Sequence, residues 1–190
     1  MEQSDQKEEY AIVLDFLPNG YPSDPRPSHR KTSIAQAVGK MHFVLLELVP
    51  KKDVFLQPFQ EVYTGDGKRD EIHHVLGKIG MEKLTQTARS ELEFVIADLV
   101  DKQSGRFVAF FNNAQPINMR SHQLELLPGI GKKHMWQIID AREEKPFESF
   151  DDIKKRVKLL PDPKKAIVKR ILEEIKETDK FRLFVDRGIA

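Results

Sequence analysis

Residues 124–133 read LELLPGIGKK, an apolar run followed by a Pro-Gly-Ile-Gly turn and two lysines. Helical residues are predicted to end at Leu127, and a second helix is predicted to begin near Lys132. The two glycines permit backbone angles closed to other residues, and they leave no side chains to shield the amides at the start of the second helix. Those amides lie at the positive end of the helix dipole, where a phosphate can accept hydrogen bonds from them.

The side chains of the turn have two expected roles. Ile130 lies between the glycines and is expected to point inward and attach the turn to the core. The two lysines add positive charge beside the amides, which favours a phosphate further. The predicted nucleic-acid-binding residues are Gly129, Ile130, Gly131, Lys132 and Lys133.

This segment resembles the helix-hairpin-helix motif of sequence-independent DNA-binding proteins. The likeness covers the apolar residues before Pro128, the turn itself, and Ile138, which lies seven residues after Gly131. Met135 stands where the motif usually has a small residue. The alternative is a plain helical hairpin whose glycine only ends the first helix, but that ending needs one glycine and not two.

A second, weaker copy of the turn begins with a proline 33 residues after the first. Residues 159–165 read LLPDPKK, one residue shorter than the first copy. Pro163 has no amide hydrogen to donate and Asp162 repels an anion, so this copy is predicted to be mainly structural. Asp162 before Pro163 is instead a good helix start. Lys164 and Lys165 are secondary basic candidates.

The segment between the two copies, residues 145–153, reads KPFESFDDI and resembles the connector of tandem helix-hairpin-helix domains. Ser149 or Asp151 can cap the helix that follows. Apolar side chains of the connector can pack between the helix pairs; these are Phe147, Phe150 and Ile153. The second part of the chain is therefore predicted to be an all-α tandem helix-hairpin-helix (HhH)2 domain.

The first part of the chain carries strand signals and one strong helix pattern. Strands are predicted at residues 10–17, 42–49, 54–56, 61–63, 72–79 and 106–111. Apolar residues spaced by three and four predict an amphipathic helix over about residues 81–103. A long proline-containing loop is expected at residues 18–41, with three further basic candidates, Arg26, Arg30 and Lys31.

Such a pattern fits a small closed barrel with one helix, and the five-stranded OB barrel is the commonest such design that binds oligonucleotides. Other small β-rich barrels would give the same pattern. The predicted divisions are a frayed N-terminus at 1–9, an OB-like β-barrel domain at 10–115, a tandem helix-hairpin-helix domain at 116–180 and a C-terminal tail at 181–190.

The net charge of +1 conceals a difference between the two parts. Residues 1–115 hold 14 Lys and Arg against 17 Asp and Glu, which gives −3. The remaining residues hold 17 against 13, which gives +4. An anionic partner is therefore expected on the second part.

Composition and spacing exclude several kinds of site. The absence of cysteine removes disulfides, thiol nucleophiles and thiolate metal sites, and it fits a cytoplasmic protein. No apolar run approaches the ~18 residues of a membrane span, so no membrane partner is expected. His73 and His74 are adjacent and would point to opposite faces of a strand, so they would not bind one metal together. No metal and no cofactor are predicted.

Across nearly its whole length the chain resembles an archaeal family catalogued as domain of unknown function 655. The likeness is carried by residues 43–48, 84–85, 91–92, 106–108, 110–112, 124–133 and 146–153. This resemblance implies an OB-like barrel fused to a tandem helix-hairpin-helix domain. It also implies that the protein binds nucleic acid, with no reaction assigned to the family.

The sequence therefore predicts a non-catalytic protein that binds the phosphate backbone of DNA or RNA with little sequence preference, as an accessory part of a larger complex. The barrel is expected to hold a second stretch of strand by aromatic stacking. The candidate stacking residues are Phe43, Phe55, Tyr63, Phe107, Phe110 and Phe111.

Two alternatives stay open. A protein-interaction adaptor is one, because the acidic first part disfavours nucleic acid. A DNA glycosylase or lyase is less favoured, because the chain is short for a base-flipping pocket and Asp140 lies too close to the turn in sequence. The sequence does not choose between DNA and RNA, and it leaves the oligomeric state open.

Overall fold

In a computed structural model of the protein, the structure describes residues 7–176 and 180–186. These residues form a mixed α and β structure. The five strands of the main sheet are β1 (Tyr10–Leu17), β2 (Ile34–Gly39), β3 (Leu45–Pro50), β4 (Glu61–Tyr63) and β5 (Ile72–Lys78). The helices are α1 (Gln86–Lys102), α2 (Ser104–Asn113), α3 (Lys132–Glu144), α4 (Phe150–Arg156) and α5 (Pro163–Ile175). A ribbon of β6 (Pro116–Asn118) and β7 (Ser121–His122) and a 3₁₀ helix (Gln123–Leu126) lie between α2 and α3 in the chain.

The main sheet is antiparallel throughout and has the order β4-β1-β2-β3-β5. The outer strands β4 and β5 are its two edges, so strand pairing among the described residues leaves it open, as a curled half-barrel. The structure therefore shows a barrel-like sheet, and strand pairing over these residues does not complete the closed barrel that the sequence predicts. In the centre, Ala37 pairs with Val13 on one side and with Leu46 on the other. All six residues of β2 are buried, so this central strand is covered on both faces.

A buried amide connects the sheet to the start of α1. Gln36 of β2 donates from Nε2 to the carbonyl of Lys83 at 2.8 Å, and its Oε1 accepts from the Thr85 amide at 2.8 Å. The Thr85 hydroxyl accepts from the Ala88 amide at 3.0 Å and donates to Asp15 at 2.6 Å. Helix α1 thus begins at a side-chain cap held against β1, and the helix predicted over about residues 81–103 is confirmed.

Three elements differ from the prediction. Residues 106–111, predicted as the last strand, lie inside α2. Phe107 and Phe111 are buried there one helical turn apart, and a short apolar run of this kind fits either a strand or a buried helix in sequence. The predicted loop at 18–41 contains β2, and residues 54–56 are not in a strand.

The chain forms two compact units. The first unit consists of the residues up to Val95 together with those from Glu174 onward. The second unit is Ile96–Glu173. This division differs from the predicted boundary at residue 115, because α2 bonds to the elements that follow it. Asn112 donates to the Phe147 carbonyl and accepts from its amide, at 3.0 and 2.8 Å.

Both predicted terminal segments have anchored residues. The Glu8 carboxylate is buried and accepts from the amides of Met41 and His42 at 3.0 and 2.6 Å, whereas residues 1–6 lie outside the described residues. The buried Glu174 carboxylate accepts from the amides of residues 183–185 at 2.7–2.9 Å. Residues 187–190 of the predicted tail also lie outside the description.

The second unit starts its later helices with polar caps. The Ser149 hydroxyl accepts from the Asp152 amide at 3.0 Å, so Ser149 is the cap of α4 that the sequence leaves open between two residues. The predicted packing residues Phe147 and Ile153 are buried. No helix in the described ranges is both long enough and apolar enough to cross a bilayer.

Candidate nucleic-acid interface

We call Pro128–Gly131 the first turn. The 3₁₀ helix Gln123–Leu126, which has a side-chain cap at its start, leads into this turn. His122 Nδ1 accepts from the Leu124 amide at 3.1 Å, and the Glu125 carboxylate accepts from the His122 amide at 2.9 Å. This reciprocal cap satisfies two amides that the helix start would otherwise leave unpaired. Leu124 and Leu127 are buried, so the 3₁₀ helix delivers the chain to the turn with its apolar side in the core.

The two glycines of the first turn have different roles. Gly129 has φ +83°, a left-handed conformation that favours glycine, and a β-carbon there would lie 3.1 Å from Cγ of Pro161. Gly131 has φ −95° and ψ −177°, extended angles that any residue adopts, and a β-carbon there would meet no atom within 4 Å. Of the two glycines, only Gly129 therefore uses the backbone freedom that the sequence analysis points to. Gly131 instead leaves open space in front of the helix start.

Ile130 points inward as predicted, with 4% of its surface exposed. Its amide donates to the Leu127 carbonyl at 3.1 Å, so this amide is occupied within the turn. The Ile130 side chain therefore attaches the turn to the core. The Ile130 amide is not a free donor for a phosphate.

The start of α3 presents free donors. The first bond of the helix runs from the Met135 amide to the Gly131 carbonyl at 2.9 Å. The amides of Gly131, Lys132 and Lys133 have no hydrogen-bond acceptor among the described residues, and no side chain caps this helix. Both lysines are exposed and form no ion pair within the described part of the chain. The arrangement combines main-chain donors, the positive end of a helix dipole and two cations.

The second turn, Pro161–Pro163, is closed by its own residues. Asp162 accepts from the Lys165 amide at 3.1 Å and forms an ion pair with Lys154 at 2.7 Å. Burial would raise the pKa of Asp162, but the Lys154 ammonium and the helix amides outweigh it and lower that pKa. Asp162 thus caps α5 as the sequence predicts. Its carboxylate occupies the place that an anion could take at the first turn.

The secondary basic candidates lie in different surroundings. Lys164 is paired with Asp101, while Lys165 is exposed. Arg26, in the other compact unit, forms a two-point pair with Asp24 at 2.7–3.1 Å that lowers the pKa of the aspartate to about 2. The two remaining candidates belong to that unit as well. Arg30 is exposed in a short 3₁₀ turn and Lys31 is half-buried.

A groove of about 450 Å³ lies beside the first turn, between the β6–β7 ribbon and α3. We call it the α3 groove. Trp136 lines it with 58% of its surface exposed, and the fully exposed Met119 lines it as well. Lys132 and Arg120 are also part of its wall. Sequence reasoning missed this site. The available signal was one tryptophan four residues after Lys132, which places both on one face of a helix.

The predicted stacking aromatics divide by exposure. Phe43, Phe107 and Phe111 are fully buried and cannot stack on a base, which corrects their assignment. Tyr63 and Phe110 are half-buried. Phe55 is 73% exposed and lines a second groove, of about 490 Å³, which we call the Phe55 groove.

The Phe55 groove is lined by two lysines, two histidines and one carboxylate, that of Asp53. Its lining includes Lys31, Lys52, His73 and His74. The Nδ1 atoms of the two histidines lie 2.7 Å apart, so the prediction that they point to opposite faces is wrong. The register between β3 and β5 shifts at this point, and such a bulge places consecutive side chains on one side. The described residues contain no group of three or more metal-ligating side chains.

Comparison with known proteins gives a family match over almost the whole chain. The model of the protein family of unknown function DUF655 matches residues 7–186. The chain is 47% identical over 180 residues to the uncharacterized protein MJ0038 of Methanocaldococcus jannaschii, covering 94% of this chain and 80% of that protein. It is similar to the crystal structure of Af1531 from Archaeoglobus fulgidus, with a TM-score of 0.87 and 46% identity over 94% of this chain and 100% of that one.

A shorter match involves a protein of a different kind. A stretch of 54 residues, 28% of this chain, is 43% identical to part of the DNA polymerase III PolC-type of Mycoplasma pneumoniae. The matched stretch is 4% of the length of that polymerase.

Proposed function

Because this chain belongs to the DUF655 family, whose function is unknown, we propose its function from its own geometry: it is a non-catalytic protein that binds the phosphate backbone of nucleic acid at the first turn. The supporting observation is the set of free amides at Gly131, Lys132 and Lys133, next to two exposed ammonium groups. Main-chain donors and lysines contact phosphate without contacting base edges, so binding carries little sequence preference.

The contrast between the two turns favours a ligand at the first one. At the second turn Asp162 satisfies the helix start from within the chain. At the first turn a β-carbon on Gly131 would meet no atom of the described residues within 4 Å, its chain neighbours aside. A phosphate oxygen can approach the amides of the first turn and not those of the second.

The proposal also includes two fold assignments, a tandem helix-hairpin-helix domain and an OB-like barrel. The repeated turns and the contact of Gly129 with Pro161 favour a tandem helix-hairpin-helix arrangement for the helices after α2. The open five-stranded sheet favours an OB-like barrel, a partly open design that binds oligonucleotides. Within that unit the Phe55 groove is the second contact surface, where a base can stack on Phe55 in a groove that Lys31 and Lys52 also line.

The short match to a DNA polymerase agrees with a nucleic-acid-binding segment, and polymerase activity is not part of the proposal. With two lysines and a few amides, we expect a dissociation constant of ~10⁻⁴ to 10⁻⁶ M at physiological salt. Affinity in this range suits an accessory protein that acts within a larger complex. DNA and RNA are both accepted by such contacts.

The test is a binding series with labelled duplex DNA, single-stranded DNA and structured RNA, read by fluorescence anisotropy. Gly131→Val and the double variant Lys132→Ala/Lys133→Ala should each lower the affinity for all three ligands by a similar factor. Valine adopts the extended angles of Gly131 without strain, so the fold is retained while the amides are shielded.

The matched control is Lys68→Ala/Lys155→Ala, which removes two exposed lysines from elsewhere on the chain and should bind nearly as wild type. Wild-type protein that binds none of the ligands at low salt contradicts the proposed function. So does a Gly131→Val protein that binds all of them as wild type does.

A protein-interaction adaptor is the second candidate, and the exposed Met119 and Trp136 of the α3 groove favour it. Apolar docking of a protein would persist as salt rises, whereas phosphate binding would weaken steeply. An incision assay on abasic DNA separates both from a glycosylase or lyase.

A further inference from the structure

We infer that the α3 groove takes an unpaired nucleobase, stacked on Trp136, so that the preferred ligand of the first turn is single-stranded nucleic acid. This inference rests on the proposed function and extends it from the phosphate to the base.

The shape and apolar surface of the groove carry the first part of the argument. Its volume of about 450 Å³ lies within the ~300–1,000 Å³ typical of small-molecule sites. One wall is the indole of Trp136, which is more than half exposed although it follows the buried Met135 on the same helix. Met119 also lines the groove, and its flexible thioether side chain packs readily on flat rings. An exposed indole in an apolar groove is a platform for a base, since every base has a π-face.

The charges around the groove favour an anionic ligand such as a nucleotide over a cationic or neutral apolar one. Lys132, Arg120 and Arg142 line it, against the single carboxylate of Glu125. Glu125 is occupied by the His122 amide, and Arg142 donates to the carbonyls of Phe111 and Ala114 at 3.0 Å. The exposed ammonium of Lys132 and guanidinium of Arg120 are therefore the charges available to a phosphate at the rim.

Spacing along α3 connects the groove to the first turn. Lys132 begins α3 beside the free amides and also lines the groove, and Trp136 lies one helical turn further along. A phosphate held at the amides thus has its own or a neighbouring base within reach of the indole. In a duplex that base would be paired and stacked on its neighbours, so the contact selects an unpaired strand.

The protein contains one tryptophan, Trp136, so tryptophan fluorescence reports on this groove alone. Oligodeoxythymidylate and a duplex of equal length are titrated into the full chain, with anisotropy of a labelled strand recorded in parallel. We expect the single strand to quench Trp136 in proportion to binding, and the duplex to bind with less quenching. Trp136→Leu should lower single-strand affinity about tenfold, while Trp136→Phe keeps most of it.

Phe94→Leu is the matched control, because it makes a comparable change at an exposed aromatic on α1 and should bind as wild type. Binding without a change in Trp136 emission, together with wild-type affinity in Trp136→Leu, overturns the stacked base and leaves the phosphate site intact. If Trp136→Leu lowers the affinity for single strand and for duplex equally, the stacked base is also overturned. If wild type binds no oligonucleotide, the proposed function itself has failed.

Discussion

Gly129 and Pro161 lie so close that a β-carbon on the glycine would be 3.1 Å from Cγ of the proline. The first turn therefore packs directly against the second, although the sequence presents them as separate copies of one pattern. Since Gly129 also has φ +83°, the glycine is required here by both the backbone and the contact. Gly131, two residues later, is free of both constraints.

Gly129→Ala should lower the free energy of unfolding by about 2 kcal/mol, because alanine is strained at a left-handed φ and its methyl group meets Pro161. Gly131→Ala is the matched control and should change stability by less than about 0.5 kcal/mol. Urea denaturation of both variants measures the difference. Equal stabilities would show that the turn relaxes without cost.

The salt dependence of nucleic-acid affinity should reflect the two lysines of the first turn. A plot of the logarithm of the association constant against that of the salt concentration should lose about one unit of slope for each of Lys132→Ala and Lys133→Ala. Lys164→Ala should change the slope less, because Lys164 is already paired with Asp101. An unchanged slope in both variants of the first turn would place the phosphates elsewhere.

Acidification should destabilise the helix start at His122. Burial, and then repulsion from Arg142, lower the pKa of His122 from 6.5, although Glu125 raises it in part. The unfolded chain therefore takes up the proton first as the pH falls below 6.5, so stability is full above 6.5 and declines below it. Protonation also removes the Nδ1 acceptor of the Leu124 amide.

His122→Asn keeps a cap acceptor and does not titrate, so its stability should depend less on pH in this range. Thermal unfolding between neutral and mildly acid pH compares the two proteins. Parallel curves for wild type and variant would contradict a neutral, capping His122.

Alkaline pH should act on Tyr21, whose hydroxyl donates to Glu47 at 2.5 Å and accepts from Gln36 at 2.9 Å. Burial and the bond to Glu47 raise the pKa of Tyr21 to about 12 from 10.0. The folded chain keeps the proton longer than the unfolded chain, so stability falls as the pH rises from 10 towards 12. The difference in phenolate absorbance between wild type and Tyr21→Phe gives the titration directly, and a midpoint near 10 would contradict it.

The Glu174 carboxylate should control local opening of residues 183–185, whose three amides donate to it. In Glu174→Gln the side-chain amide carries hydrogens towards those donors, which leaves buried groups unsatisfied. Hydrogen exchange of the three amides should speed up about tenfold or more, and exposed Glu93→Gln is the control. Unchanged exchange in Glu174→Gln would show that other contacts hold this segment.

Some of the candidate site follows from the sequence because its signals are local. The inward Ile130, the Asp162 cap and the start of α3 after Gly131 depend on residues within one or two turns of each other. The membership of the DUF655 family is confirmed. The α3 groove could not be predicted, because it forms only where the β6–β7 ribbon meets α3.

Residue type and short-range spacing are enough to predict the repeated turn, the helix after Thr85 and the first strand, and to exclude cysteine chemistry. Three features became visible only in the folded chain: residues 106–111 form a helix, Gly129 and Gly131 have different roles, and His73 and His74 share one side. These outcomes depend on burial, a register shift and contacts between remote segments. An isolated stretch of chain does not contain that information.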